Sequence, residues 1–356
     1  MIGLFGGCFN PVHSQHLAMA RAACNRLKLD EVWFIPVFQP VHKDDDDLLT
    51  FSDRVRLLEA SLEHEPCLKV NTIEAELSGP SFTISTVRAL RRQHPRAEFT
   101  LLIGADSWRD FATWHLHKSL LEETRLAVFK RPGVLSQKPL SSKLGSWVRL
   151  DEHAVSSRMI RRRLARGQLK HLFVPPAVMA IIAYENLYSC WGEKFAAWIG
   201  DVRKRLKRLP AGLIGHIESV ARLSARFSAE LGEDPRAGVL AGLSHDVFRI
   251  ASPEENLRRI SAAGFRLTPL EKHLPMLAHG AAAAAFLKGL SPAVPAGVLR
   301  AVRAPTVLRN HESRLTRALV MADFLDPSRG DPRRQTLLSQ SLSPEKRFQQ
   351  VMSAKR

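Results

Sequence analysis

The alternation of apolar and polar positions changes character once along the chain, near residue 190. Before it, short apolar runs of β-forming residues alternate with stretches whose apolar residues recur at helical spacing. Ile2 to Phe5 predicts a first strand, the segment from Leu17 through Arg26 a helix, and Val32 to Pro36 a second strand. Strand, helix and strand within this length form a βαβ unit, which implies parallel pairing. Next come a helix over Arg54 to Glu63, with Ser52 or Asp53 as its N-cap, a strand over Leu68 to Ile73, and a helix over Ser85 to Gln93. A buried strand over Phe99 to Ile103, a helix over Leu116 to Glu122 and a strand over Arg125 to Phe129 follow. A loop over Leu135 to Ser146 and a last strand over Trp147 to Leu150 complete the series. The pattern predicts a doubly wound parallel-sheet α/β domain, whose ligands sit at the carboxyl ends of its strands. From Phe195 onward only amphipathic helices punctuated by Pro and Gly are predicted, hence an all-α domain. The expected boundaries are residues 1–190 for the α/β domain, 191–210 for a Lys/Arg-rich linker, 211–330 for the helical domain and 331–356 for a frayed basic tail.

Composition adds bounds rather than elements. Hydrophobic residues make up 45% of the 356, enough for two cores. No apolar run reaches the length of a membrane span; the best, Phe173 to Ala183, is short and contains Pro175 and Pro176. The opening MIGLFGG has no basic lead-in, so a signal peptide is not expected. Cys8, Cys24, Cys67 and Cys190 form no CxxC, which suits reduced thiols and a cytoplasmic location. Asp44 to Asp47 is a self-repelling acidic run, expected in a loop. The net charge of +17 leaves three readings open: attraction of polyanionic substrates, association with nucleic acid, or a general arginine bias on a solvated surface. No aromatic-rich RNA motif accompanies it, so nucleic acid is not expected as a partner; the oligomeric state stays open, a homo-oligomer included.

The first sixteen residues carry the most chemistry. Gly6 and Gly7 follow the first strand directly, where a sharp turn or close ligand approach is expected. Asn10-Pro11 marks a turn, and His13 and His16 open the helix. A glycine turn leading from a strand to a helix N-terminus presents amide N–H groups to an anion, and the two imidazoles add donors. GGCFNPVHSQH resembles the GGxFxPxHxGH signature of the nucleotidylyltransferase superfamily. PVHK (Pro40 to Lys43), GPSFTISTVRAL (Gly79 to Leu90), LLIGADSWRDFATWH (Leu101 to His115), KRPG (Lys130 to Gly133) and VSSRMIRRRL (Val155 to Leu164) narrow the resemblance to the nicotinate mononucleotide adenylyltransferases, over about residues 1–190.

That resemblance implies a Rossmann-like fold and attack of the nicotinate mononucleotide phosphate on the α-phosphorus of ATP, with Mg²⁺, giving nicotinate adenine dinucleotide and pyrophosphate. Such a reaction needs positioning and charge neutralisation rather than a nucleophilic side chain. The implied catalytic residues are His13, His16, Lys43 and Arg161. ATP contacts are implied for Gly6, Gly7, Cys8, Phe9, Ser156, Ser157 and Ile160, with Ser156 or Ser157 capping a helix that faces the anion. Nicotinate mononucleotide contacts are implied for Thr83, the Ile84 backbone, Asp106 and Trp114, the last stacking on the pyridine ring. Three positions depart from the pattern: Gln15 where glycine is usual, Arg158 where threonine is usual, and Trp108 where an aliphatic residue is usual.

In the helical half, His216, His245-Asp246, His279 and Asp323 lie on separate predicted helices, a set able to surround a metal that activates water for phosphoester hydrolysis. AGLSHDVFR, HGAAAAAFL and ALVMADFLDPSR resemble the HD-domain phosphohydrolases, in the branch that splits diadenosine tetraphosphate symmetrically. The resemblance implies iron or another divalent metal. Pro305 stands where that family has a histidine and Arg249 where it has lysine, which puts a two-metal centre in doubt. Two alternatives stay open: a chain acting mainly as a nucleotide phosphohydrolase, and a helical half that only regulates or dimerises. His273 and His311 are expected at the surface.

Overall fold

Six parallel strands organise the first half of the chain. In the computed structural model, which describes residues 1–40, 47–130, 145–149, 155–303 and 312–355, they are β1 (Ile2–Gly7), β2 (Glu31–Pro36), β3 (Leu68–Val70), β4 (Phe99–Gly104), β5 (Arg125–Lys130) and β6 (Gly145–Arg149). The sheet order is β3-β2-β1-β4-β5-β6, with Leu4 opposite both Trp33 and Leu101. The chain winds from β1 out to β3 and then returns to the other side of β1 with β4. The winding direction therefore reverses between β1 and β4, and the two crossovers leave a crevice at the carboxyl ends of those strands. Helices α1 (Ser14–Leu27), α2 (Phe51–Leu62), α3 (Thr83–Gln93), α4 (Ala105–Arg109) and α5 (His117–Glu123) connect the strands. One face of the sheet, with Leu4, Ile35, Leu101, Ile103 and Val128, packs on Ile84, Val87 and Leu90 of α3 and Leu120 of α5. Burial on both faces explains why the strands read as nearly unbroken apolar runs.

The elements differ from the sequence expectation in local ways. Helix α2 starts at Phe51 because Thr50, not Ser52 or Asp53, is its cap: Thr50 Oγ1 accepts from Asp53 N–H at 3.1 Å. The strand expected to reach Ile73 stops at Val70, where Asn71 Oδ1 accepts from Ile73 N–H at 3.0 Å and starts a 3-10 turn over Ile73–Glu76. The last strand is Gly145–Arg149. The expected acidic run at residues 44–46 and most of the expected loop from Leu135 lie outside the described residues.

The contacts divide the chain into one unit of residues 1–162 and 172–178 and a second of residues 163–171 and 179–356. Two of the three points of division fall inside helices, α6 (Ser157–Ala165) and α7 (Pro176–Glu185). The second unit holds α8 (Gly192–Leu206), α9 (Ala211–Glu230), α10 (Pro235–Ser244), α11 (Pro253–Ala262), α12 (Pro269–His273), α13 (His279–Leu290), α14 (Ala296–Arg303), α15 (Arg314–Phe324), α16 (Pro332–Ser339) and α17 (Pro344–Ala354), and no strand among its described residues. Five of these helices begin with the same device, an Asp, Ser or Thr cap followed by proline, at 234, 252, 268, 331 and 343. Helices α9 and α10 are in backbone contact: a Cβ on Gly242 would stand 2.4 Å from Ala221 Cα. No helix among the described residues is long and apolar enough to cross a membrane.

Two expectations are corrected here. The stretch expected as a linker, 191–210, is mostly helix α8, whose Trp198, Ile199, Val202 and Leu206 are buried. Exposed Lys204 and the half-buried Arg203 and Arg205, which lie over the Trp191 and Phe248 rings at 5.3 and 4.9 Å, mask the apolar stripe in composition. The stretch expected as a frayed tail holds α16 and α17; α17 buries Phe348 and Val351, and its buried Arg347 donates to Glu230 Oε2 at 2.8 Å.

Candidate functional site

In the first unit, β1 runs straight through Gly6 and Gly7, and neither has a positive φ. The turn expected on the glycines falls on Phe9, at φ +48°. Gly7 has its own reason: a Cβ there would meet the Phe9 ring at 3.0 Å. A Cβ on Gly6 or on Gly104, at the carboxyl ends of β1 and β4, would meet nothing within 4 Å, so both open onto the crevice where the winding reverses. The loop after β1 is braced from several sides. Asn10 Nδ2 donates to Asp47 O at 2.9 Å while its Oδ1 accepts from Leu49 N–H at 3.3 Å. Arg54, fully buried on α2, donates to Leu49 O and, at 3.1 Å, to Cys8 O. His13 caps α1, and its N–H donates to His16 Nδ1 at 3.2 Å. The two imidazoles stack with centroids 3.7 Å apart, and Phe9 packs edge-on against His16.

Helix α6 meets the same loop. Ser157 Oγ donates to Pro11 O at 3.0 Å, and Arg161, nine-tenths buried, donates to Asn10 O at 3.0 Å. Ser156 supplies the cap, accepting from Met159 N–H at 3.2 Å, and Ile160 is fully buried. Gln15 adds a tie that the family pattern lacks: its Oε1 accepts from Val155 N–H at 3.3 Å. The N-terminal ends of α1 and α6 are thus held together with His13, His16, Ser156, Ser157 and Arg161. Lys43 lies outside the described residues.

The other expected contacts gather around α3 and α4. Thr83 and the buried Ile84 form the first turn of α3. Phe82, its cap, stacks on His115 at 4.4 Å, next to Trp114, which packs on Phe111 at 5.2 Å. Trp108 packs on the other side of Phe111 at 5.3 Å. Asp106 sits in the first turn of α4, two residues after Gly104, with its carboxylate at 3.3 Å from Arg109. His115 is a neighbour that sequence reasoning missed; only its place inside the quoted segment signalled it.

The second unit brings its five expected residues into one cluster. Ligand atoms of His216, His245 and Asp323 all lie within 4.8 Å of one another. His216 Nε2 is 3.4 Å from Asp323 Oδ1 and 3.7 Å from Asp246 Oδ2; His245 Nε2 is 3.6 Å from the same Asp246 oxygen. His279 Nε2 is 3.3 Å from the other Asp246 oxygen. Each imidazole has its Nδ1–H committed elsewhere: His216 to Asp326 Oδ2 at 2.6 Å, His245 to Gly242 O at 2.7 Å, His279 to Met276 O at 3.0 Å. That fixes the tautomer and turns three Nε2 lone pairs toward two carboxylates, the outer-shell arrangement of metal-binding histidines. The Nε2 atoms of His216 and His245 are buried without a hydrogen-bond partner. Lone pairs facing carboxylates repel unless a cation or proton lies between them, so the donor set fits a divalent metal. Asp326 was not expected. It repeats the cap-proline device, accepting from Ser328 N–H at 3.2 Å through Oδ1, and lends its second oxygen to His216. Pro305 and His311 lie outside the described residues.

Charges around this cluster shift its titrations. Burial works against ionisation of Asp246, but His245, His279 and Arg249 hold it well below the usual carboxylate range. Burial opposes Asp323 likewise, and the neighbouring imidazoles of His216 and His245 together with Arg329 hold it low. The Asp323 carboxylate, 3.4 Å away, raises His216 above the ordinary 6.5 against the cost of burial, with Asp326 adding to it. Burial would lower His279, but Asp246 outweighs it and the net shift is upward. Beside the cluster opens a cavity of about 110 Å³, lined by His245, Asp246, His279, Asp323 and Lys355 among others.

Residues 4–163 match the cytidylyltransferase-like family and residues 213–344 the HD domain. The chain is 36% identical over 189 residues to a probable nicotinate-nucleotide adenylyltransferase of Salinibacter ruber, covering 52% of this chain and 97% of that protein. Among solved structures, it is similar to the Plasmodium falciparum nicotinic acid mononucleotide adenylyltransferase complexed with NaAD, at 18% identity, 53% of this chain, 97% of that one and a TM-score of 0.45. A predicted HD superfamily hydrolase involved in NAD metabolism from Clostridium acetobutylicum is similar at 21% identity, 43% of this chain, 80% of that one and a TM-score of 0.39.

Proposed function

We propose, from the premise that the chain belongs to the nicotinate-nucleotide adenylyltransferase family, that its first unit transfers the adenylyl group of ATP to nicotinate mononucleotide and releases pyrophosphate, a step of NAD biosynthesis. The observation that carries the reading is the joined N-termini of α1 and α6 beside the crevice between β1 and β4. Two helix ends and the imidazoles of His13 and His16 favour the charge that spreads over the α-phosphoryl oxygens as the P–O bond to pyrophosphate breaks. Arg161 keeps the loop in shape through Asn10 O and adds positive charge; Lys43 supplies a further cation to the phosphates, which Mg²⁺ accompanies. Ile84, Thr83, Trp114 and Asp106 take the nicotinate mononucleotide. The open space over Gly6 and Gly104 supports close backbone approach by both nucleotides.

The test is pyrophosphate release by the full chain with ATP, Mg²⁺ and either nicotinate or nicotinamide mononucleotide. Release with the nicotinate form is expected, falling about 10²- to 10⁴-fold in His16→Ala with the fold intact. Equal release by wild type and His16→Ala would remove the phosphate role of the histidine pair.

For the second unit we infer a divalent-metal phosphoester hydrolase, carried by the committed Nδ1–H groups of His216, His245 and His279. His216, His245, Asp246 and Asp323 would hold the metal, iron or another divalent ion, which supplies Lewis-acid activation of water and phosphate. Resemblance in sequence favours diadenosine tetraphosphate as the substrate. Release of ADP from it by the metal-loaded chain, absent in Asp323→Ala, is the check.

A further inference from the structure

Helix α17 is a built element. Phe348 and Val351 are buried, Arg317 lies over the Phe348 ring at 5.3 Å, and Arg347 is 2% exposed. Arg347 donates to Glu230 on α9 at 2.8 Å and to Gln340 O at 3.0 Å, and its guanidinium sits 5.3 Å from the Phe227 ring. The helix closes on Lys355, whose N–H donates to Val351 O at 3.1 Å. Through these anchors Lys355 is delivered to the wall of the cavity that holds His245, Asp246, His279 and Asp323.

Among the described residues, three other cations near that cavity are engaged. Arg249 donates to Asp246 at 2.7 Å. Arg329 donates to Asp323. Arg303 donates to Arg266 O and lies over the Phe265 ring at 5.0 Å. Lys355 is exposed, like Lys346; desolvation on the cavity side and the charges of Arg329 and Arg334 lower its ammonium below the ordinary lysine range, while Asp323 works the other way. Among the described residues its ammonium has no hydrogen bond or ion pair. The carboxylate it faces is already shared by His216 and Arg329, so a mere counter-ion role is filled. An uncommitted ammonium on a cavity wall beside a metal-binding cluster has the chemistry of a phosphate anchor: a compact point charge with three donors.

We propose that Lys355 is the anion-anchoring residue of the second unit, its ammonium holding a phosphate group of the ligand beside the His–Asp cluster. This deepens the hydrolase reading and rests on it. The ligand class is a phosphoanion with at least one unesterified oxygen facing Lys355.

The experiment measures Mn²⁺ binding and then inorganic phosphate binding to the Mn²⁺-loaded full chain, by calorimetry, for wild type, Lys355→Gln, Lys355→Arg and Lys346→Gln. Lys346 is an exposed lysine of the same helix and controls for net charge. The expected result is phosphate binding about tenfold or more weaker in K355Q, within about threefold of wild type in K355R, and unchanged in K346Q, with Mn²⁺ binding equal in all four. Phosphate binding by K355Q equal to that by K346Q overturns the proposal while leaving the metal reading standing. Phosphate binding that depends on Lys355 in a chain that takes up no Mn²⁺ overturns the metal reading and keeps the anchor. A wild-type chain that binds neither overturns both.

Discussion

The two units build their candidate sites from opposite materials. The first builds its crevice from strand ends, two helix N-termini and a loop whose backbone is braced by Arg54 and Arg161. The second builds from helices, which offer no free backbone in their middles, so it uses titratable and charged side chains: three imidazoles, three carboxylates and the arginines that balance them. The difference teaches where each should be fragile. A backbone site tolerates charge changes but not changes in the loop; a side-chain site tolerates loop changes but loses its function with one ligand.

The sharpest way to break the comparison is to strike one unit and read the other. Asp246→Ala is expected to weaken Mn²⁺ binding more than about a hundredfold and to leave pyrophosphate release from ATP and nicotinate mononucleotide unchanged. A parallel loss of adenylyl transfer would show that the units are not separable in function. A milder strike is Asp326→Asn, which keeps the shape but weakens the acceptor for His216 Nδ1–H. Metal affinity should fall about 10- to 100-fold, read by competition with a chromophoric chelator; an unchanged affinity would mean that the imidazole is oriented by packing alone.

The smallest effect is in pH. Asp246 and Asp323 are held below the ordinary 3.8, so their contribution to stability is present above that value and is lost as pH falls through the lower folded values. His216 and His279 are raised above the ordinary 6.5, so their contribution is complete below 6.5 and fades as pH rises through the folded values. For this cluster the metal-free chain is most stable between 3.8 and 6.5. With Mn²⁺ the optimum moves upward, since the metal needs neutral imidazoles. Thermal midpoints against pH, with and without Mn²⁺, check this; a metal-free midpoint that climbs steadily past pH 7 contradicts it.

The same contrast explains what could be read from the sequence. The first site was legible because strand, loop and helix follow one another in the chain, so GGCFNPVHSQH is a contiguous text. Of the two roles expected of the glycines, a turn or a close approach, the turn falls on Phe9, which takes the positive φ, while Gly7 makes room for its ring and Gly6 faces open space. Arg54 was invisible because a basic residue on an amphipathic helix reads as solvated until a carbonyl is brought over it. In the second unit the clustered His and Asp residues could be picked out, but Asp326 and Lys355 could not. Asp326 reads as a cap before proline, which it is, and its bond to His216 spans 110 residues. Lys355 sits in a stretch whose polar composition hides two apolar anchors, Phe348 and Val351, and tertiary packing decides that it forms a helix.

The committed Nδ1 protons of the three histidines carry a consequence for handling the protein. Each lone pair that takes a metal must first be free of hydrogen, and two of the three rings hold theirs more tightly than an ordinary imidazole. Loading the centre near neutrality therefore expels acid into the surroundings. In a weak buffer the sample titrates itself, and the heat measured is partly that of the buffer. Apparent affinities for one metal, taken in two buffers at one nominal pH, will agree only when the displaced protons are counted.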